Sequence, residues 1–391
     1  MIEKIVDIAK RIEEEIIQNR RTLHQMPELG LDLPKTTAFV REQLTQMGYD
    51  VADCGPGGLV VVAGQGEKTF LLRADMDALP GEELADVPYR SQTENAHLCG
   101  HDMHTAQLLG AARILKEIEA ELPGRVKLMF QPAEETVEGA KSMIEHGLLE
   151  NPKVDAAFAM HVMSTLERGT VDYTRGVASA AMDTFFIEIK GKATHGSMPD
   201  KGVDPLQIAA HLYLMITSLA AREASMFDNI VCTIGEMGGG TAPNIVPDTA
   251  VLRGTIRSFD KAVRDRFVER ISALVENVPM SFAAKGEIKW IQTPSIVNDD
   301  GVVDVAEKAL AEVFSAENVI NTGTPLTGSE DFSYVAARVP AMFVMVGTGG
   351  PDEYPVHNPN VVFDESNLAK SAAGLVAVAV SWLQGEAPAA Q

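Results

Sequence analysis

Ile5, Ile8, Ile12 and Ile16 recur every three to four residues among Glu, Lys and Arg, a period that predicts one amphipathic helix at the start of the chain. It runs into Arg20-Arg21-Thr22-Leu23-His24-Gln25 and stops near Met26-Pro27-Glu28. Residues 35–48 predict a second helix, ended by Gly48. The period then changes. Leu59–Ala63, Phe70–Leu72, Val126–Phe130, Ala156–Ala159 and Ala341–Val346 are short, continuous apolar runs, the mark of strands buried on both faces. Helical patterns at 103–120 and 138–148 lie between them. Buried strands alternating with helices predict a mostly parallel α/β sheet.

The pattern shifts at the small-residue stretch Arg175-Gly176-Val177-Ala178-Ser179-Ala180. Phe185–Ile189 alternates as a strand, a helix follows over 204–222, and Ile230–Ile234 and Thr249–Ile256 read as strands around the turn Gly238-Gly239-Gly240. A helix at 260–277 and a strand at 286–292 complete a β-α-β-β-α-β order, a split βαβ sandwich. The α/β pattern resumes after Thr293-Pro294. The expected architecture is therefore a mostly parallel-sheet α/β domain over 1–180 and 294–391, interrupted by a smaller α+β domain over 181–293. The tail Gly385–Gln391 is expected to fray.

Composition narrows the classes. A net charge of −22 argues against nucleic acid as a partner, since that needs a basic face. Three cysteines, Cys54, Cys99 and Cys232, imply no disulfide framework and fit a reducing cytoplasm. The amphipathic start lacks the apolar core of a signal peptide, and no apolar run approaches the ~18 residues of a membrane span, so no membrane association is expected.

The candidate chemistry gathers where strands end. Phe70–Leu72 leads into Arg73-Ala74-Asp75-Met76-Asp77, Val126–Phe130 into Gln131-Pro132-Ala133-Glu134-Glu135, and Ala156–Ala159 into Met160-His161. Open α/β sheets form their sites outside the carboxyl ends of strands, so convergence is a geometric expectation. Leu98-Cys99-Gly100-His101-Asp102-Met103-His104 adds a thiol and two imidazoles, and a looped backbone lets Cys99 and His101 face one point. His357 lies in the proline-braced loop Tyr354-Pro355-Val356-His357-Asn358-Pro359. Cys99, His101, Glu135, His161 and His357 are too many ligands for one tetrahedral zinc and about right for two metals sharing Cys99. Of two adjacent carboxylates one can bind metal while its neighbour moves protons, which leaves Glu134 free. Zinc-deaminase, thermolysin-like, phosphate-loop and nucleophile-elbow motifs are all absent.

Arg21–Gly30, Arg73–Pro80, Cys99–Thr105, Gln131–Glu135, Thr194-His195-Gly196-Ser197 and Gly328-Ser329-Glu330-Asp331-Phe332 resemble, in order, the dinuclear-metal aminoacylase and carboxypeptidase family. The resemblance is narrower to its amidohydrolase branch of hippurate hydrolases, N-acyl-amino-acid deacylases and plant auxin-conjugate hydrolases. It implies that Cys99, His101, Glu135, His161 and His357 are the metal ligands, Glu134 the general base, and Asp77 the carboxylate that orients a ligand. The wider family has His-x-Asp where this chain has Asp75-Met76-Asp77, and a bridging Asp where it has Cys99; both departures suit the branch. The metals implied are two divalent ions per chain, zinc or manganese first and nickel or cobalt next. The reaction implied is cleavage of an N-acyl-L-amino acid by a metal-bridging hydroxide. A dipeptidase or carboxypeptidase on the same metals, or an inactive metal-binding protein, are the competing readings. The inserted domain is implied to be a lid through which a homodimer, or a dimer-based oligomer, forms. His195 would serve the partner's oxyanion, and Asn244 and Arg257 would hold the substrate carboxylate.

Overall fold

The computed structural model describes residues 1–385; of the tail Gly385–Gln391, expected to fray, residues 386–391 lie outside the described residues. The chain divides into two compact units. The first comprises Met1–Ala178, Ile296–Pro325 and Glu330 to the C-terminal helix, and the second Ser179–Ser295 with Leu326–Ser329.

The first unit is built on an eight-stranded sheet. At its centre four strands run parallel, in the spatial order Arg125–Gln131, Thr69–Asp75, Ala156–Glu167, Ala341–Gly349. Leu59–Gly64 is antiparallel to Arg125–Gln131 on one side, and Val171–Tyr173 antiparallel to Ala341–Gly349 on the other. Every residue of Thr69–Asp75 is buried, as expected of a strand covered on both faces. His101–Glu117, Asp300–Phe314, Leu368–Gln384 and the N-terminal helices supply the rest of this core, in which Phe70 packs on Trp382 at 5.2 Å between ring centroids.

The opening helix is two helices, Ile2–Arg11 and Glu13–His24, broken at Ile12 (φ −103°, ψ 10°). The apolar period runs through the break because Ile5, Ile12 and Ile16 all enter the same core. The helix expected over 103–120 begins two residues earlier, at His101.

The second unit is a four-stranded antiparallel sheet, in the order Ile230–Gly238, Thr249–Ser258, Ala181–Lys190, Lys285–Thr293. Helices Pro205–Arg222 and Lys261–Ser281 cover one face, with Phe185, Ile187, Leu212, Leu252 and Phe267 between the layers. Asp204 and Asp260 cap these helices by accepting from backbone N–H groups of the first turn. Leu326–Ser329 joins this unit by a backbone bond from Ala180 to Leu326 and a bridge to Ser179, a return that the sequence pattern does not signal. Among the described residues, no helix is long and apolar enough to cross a membrane.

Candidate metal centre and its surroundings

Each candidate ligand in the first unit is held by a local backbone device. Gly100 sits at φ +85° ahead of the helix His101–Glu117, so the chain turns sharply between Cys99 and His101. A Cβ there would lie 2.4 Å from Val162 Cγ2, so the turn needs glycine for space as well as conformation. Glu134 and Glu135 stand in a turn after the strand Arg125–Gln131, with Ala133 at φ 54° and Val137 at φ 60°. Asp77 fixes this turn: its carboxylate oxygens accept the N–H of Glu134 at 3.0 Å and of Glu135 at 3.1 Å. His357, at φ 68°, is tied to the Cys99 segment by its N–H on the Leu98 carbonyl, 2.8 Å.

These devices, with His161 on the strand Ala156–Glu167, bring Cys99, His101, Glu134, Glu135, His161 and His357 together. Sγ of Cys99 lies 3.5 Å from Nε2 of His161 and 3.3 Å from Nε2 of His357. Oε1 of Glu135 lies 3.5 Å from Nε2 of His357 and 3.8 Å from Nε2 of His101. Three donor triads result, each with its atoms within 4.8 Å of one another: His101–Glu134–Glu135, and the pair Cys99–His101–His161 and Cys99–Glu135–His357, which share the Cys99 sulfur. Glu134 is buried, with Oε2 4.0 Å from Nε2 of His101.

The tautomers suit cations. His101 Nδ1 donates to the Asp77 carbonyl at 2.9 Å, and His161 Nδ1 to the Val162 carbonyl at 2.6 Å, so each ring turns its Nε2 lone pair inward. His101 Nε2 and Glu135 Oε1 are buried without a hydrogen-bond partner among the described residues. Buried polar atoms are costly when unpaired. An imidazole nitrogen and a carboxylate oxygen left unpaired beside the Cys99 thiol therefore fit divalent ions. Asp77 acts on His101 chiefly through its main-chain carbonyl, its carboxylate being engaged by the two glutamate amides; Oδ1 lies 3.4 Å from His101 Nδ1.

Burial sets the electrostatics. It pushes the Cys99 thiol up to about 12 and holds His161 well below the usual imidazole value, with His104 adding to the second effect. Burial, then the nearby Glu330 and Asp331 carboxylates, raise Glu134 well above the usual carboxylate range. Burial acts the same way on Glu135, but the nearby His357 and His101 imidazoles outweigh it and leave Glu135 lowered.

Several surrounding residues were not foreseen as part of the site. Arg73 is fully buried and pairs with Glu330 at 2.7 Å, Asp331 at 3.2 Å and Asp75 at 2.8 Å, while its Nε donates to Gln131. His104 donates through Nδ1 to Asp75 at 2.5 Å and accepts the Val162 N–H at Nε2, beside His161. A charged residue directly after an apolar strand was the available signal for Arg73, and a second imidazole one helical turn after His101 the signal for His104.

In the second unit, His195 and Asn244 come together on a short ribbon in which His195 pairs with Ile245 and Gly196 N–H bonds the Asn244 carbonyl. Both side chains are exposed. The Ser197 amide and hydroxyl both donate to His195 Nδ1, leaving Nε2–H as the outward donor. Arg257 lies on another element, near the end of Thr249–Ser258, with its guanidinium on the Thr327 carbonyl at 3.3 Å.

Donors of this kind at the ends of parallel strands make a candidate site for divalent cations. The chain belongs to the peptidase family M20/M25/M40, whose model matches residues 71–381, and is a hydrolase of that family. It is 36% identical over 369 residues to an N-acetyl-L-cysteine deacetylase of Bacillus subtilis, covering 92% of this chain and 86% of that one. It is 33% identical to a hippurate hydrolase of Campylobacter jejuni, covering 98% of this chain and 100% of that one. A solved dinuclear metal-binding peptidase of the M20 family from Bacillus subtilis matches with a TM-score of 0.81 and 31% identity, over 96% of this chain and 99% of that one.

Proposed function

We propose that the chain hydrolyses the amide bond of N-acyl-L-amino acids, with Glu134 as general base. The observation that carries this is the pair of donor triads sharing Cys99 beside a buried carboxylate that belongs to neither triad. Two divalent ions, one on Cys99, His101 and His161 and one on Cys99, Glu135 and His357, would supply Lewis acidity and lower the pKa of water. The Cys99 sulfur, if it held both as thiolate, would favour zinc and its transition-metal neighbours over hard oxygen-site ions.

Glu134 takes the proton of the attacking water on its carboxylate. Its buried setting raises its proton affinity, so it holds that proton until the amide nitrogen leaves and then delivers it there. Asp77 keeps Glu134 in place through the backbone. His195 offers Nε2–H to the developing oxyanion, in the partner chain of a homodimer formed through the second unit. Asn244 shares the His195 ribbon and so serves the same site. Arg257 has donors left over from Thr327 and takes the substrate carboxylate.

The test is amine release from N-acetyl amino acids, hippurate and dipeptides, with chelator and with added Zn²⁺ or Mn²⁺. N-acyl substrates should be cleaved, and chelator should abolish cleavage. Glu134→Gln should keep bound metal and lose on the order of 10² to 10⁴ in kcat. Full activity in that variant would remove Glu134 from its role. Faster turnover of dipeptides would favour the carboxypeptidase reading, which the 35% identity to a thermostable carboxypeptidase of Saccharolobus solfataricus supports.

A further inference from the structure

Behind the start of the helix His101–Glu117 lies a buried charged cluster that takes no part in the chemistry above. Adjacent residues on a helix point about 100° apart, so Asp102 turns away from the metal centre that His101 faces. Asp102 Oδ2 accepts from Arg20 Nε at 2.7 Å and from His24 Nδ1 at 2.8 Å. His24 Nε2 faces the Glu83 carboxylate at 3.0 and 3.1 Å. Both ring nitrogens therefore face carboxylates, an arrangement that favours the doubly protonated imidazolium of His24. The 3.4 Å approach of Arg20 Nη2 to His24 Nδ1 is then a contact of two donors, which the intervening Asp102 compensates. All three of Arg20, His24 and Asp102 are buried.

The cluster also reaches the other ligand-bearing segment. Arg20 Nη1 donates to Glu365 at 3.1 Å, in the stretch that follows His357. Glu83, which also accepts the Ser91 N–H at 2.8 Å, belongs to the loop that leads into Cys99. The helix that His101 opens has no side-chain cap, so its first turn relies on such contacts for its orientation.

We infer that His24 is a positioning residue for the proposed metal centre, acting through Asp102 to fix the turn that carries Cys99 and His101. The inference rests on the metal reading above, and it concerns the donor on Asp102 rather than the bulk of the ring.

Two substitutions of near-equal size separate these roles. His24→Asn puts an amide N–H where Nδ1 stood and can keep the bond to Asp102. His24→Gln reaches the Nε2 position and serves Glu83 instead. Each purified chain is stripped with chelator, checked by circular dichroism, and titrated with Zn²⁺ and Mn²⁺ against a competing indicator. His24→Gln should bind ~10–100-fold more weakly than wild type, the usual scale for losing an outer partner of a ligand, and His24→Asn should recover most of that. Equal affinities in the two folded variants, whether both intact or both weakened, would overturn the inference while leaving the metal reading standing. A wild-type chain that binds neither ion would overturn both.

Discussion

At the scale of single residues, the site depends on a few backbone positions that the ligands themselves do not reveal. Gly100 is the sharpest case. It is left-handed at φ +85°, and a methyl group would meet Val162 Cγ2 at 2.4 Å with Phe363 Cζ at 3.2 Å. Gly100→Ala should cost about 1–2 kcal/mol for the left-handed backbone and about 1–3 kcal/mol more for the overlap. The overlap is relieved by moving either the turn between Cys99 and His101 or Val162, on the strand that carries His161. Urea unfolding and metal titration should therefore both report a loss, and a variant stable to within about 0.5 kcal/mol would show that the turn is softer than its geometry implies. Arg73 is constrained differently. It stands among Asp75, Glu330 and Asp331, whose charges hold it above its usual value against the pull of burial. These three carboxylates have one buried guanidinium in common.

At the scale of elements, the helix Glu13–His24 is tied to the helix His101–Glu117 by charge as well as by apolar packing. Burial works against protonation of His24, but Asp102 and the bonds to Asp102 and Glu83 prevail, and its pKa is raised. Tyr89, His97 and Arg20 complete its surroundings, and Arg20 opposes the charge. A raised folded pKa means that the stabilisation is present in full below the unfolded value of about 6.5 and is lost as pH rises through the folded value. The melting temperature of the chelator-treated chain should thus fall as pH is raised above neutrality. His24→Asn should lack that part of the fall, and parallel pH profiles for the two would mean that His24 is uncharged in the native state. None of this network was legible in the sequence, because Arg20–Asp102 and Arg73–Glu330 join residues 82 and 257 positions apart and leave no local pattern. The central strands were legible for the opposite reason. Burial on both faces writes itself into continuous apolar runs such as Phe70–Leu72 and Ala341–Val346. The gathering of Cys99, His101, Glu134, Glu135, His161 and His357 could be read from their positions after strands and in a braced loop. The break at Ile12 could not, since both helices feed one core and keep one period.

At the scale of the whole molecule, the second unit presents surface that a solitary chain would leave in water. Met226 and Phe227 are 91% and 85% exposed, Leu214 66% and Val231 59%. Among the described residues the strand Ile230–Gly238 is an edge, paired only with Thr249–Ser258. Exposed apolar side chains beside an open edge are the usual material of an interface, and a self-complementary one gives a two-fold dimer. If that dimer also lets His195 serve the partner's centre, no single chain owns a complete site. The prediction is made on mixed dimers. One chain carries His195→Ala and the other Glu134→Gln, each with its own affinity tag, and the doubly tagged species is isolated. With shared sites, the intact Glu134 of the first chain meets the intact His195 of the second, and about one site in two works although both parent homodimers are inactive. With His195 serving its own chain, every site in the mixed dimer keeps one defect and no activity returns. Recovery to about half of wild type, read as amine release from an N-acyl amino acid, therefore assigns His195 to the partner, and its absence in a verified mixed dimer assigns it to its own chain or to no site.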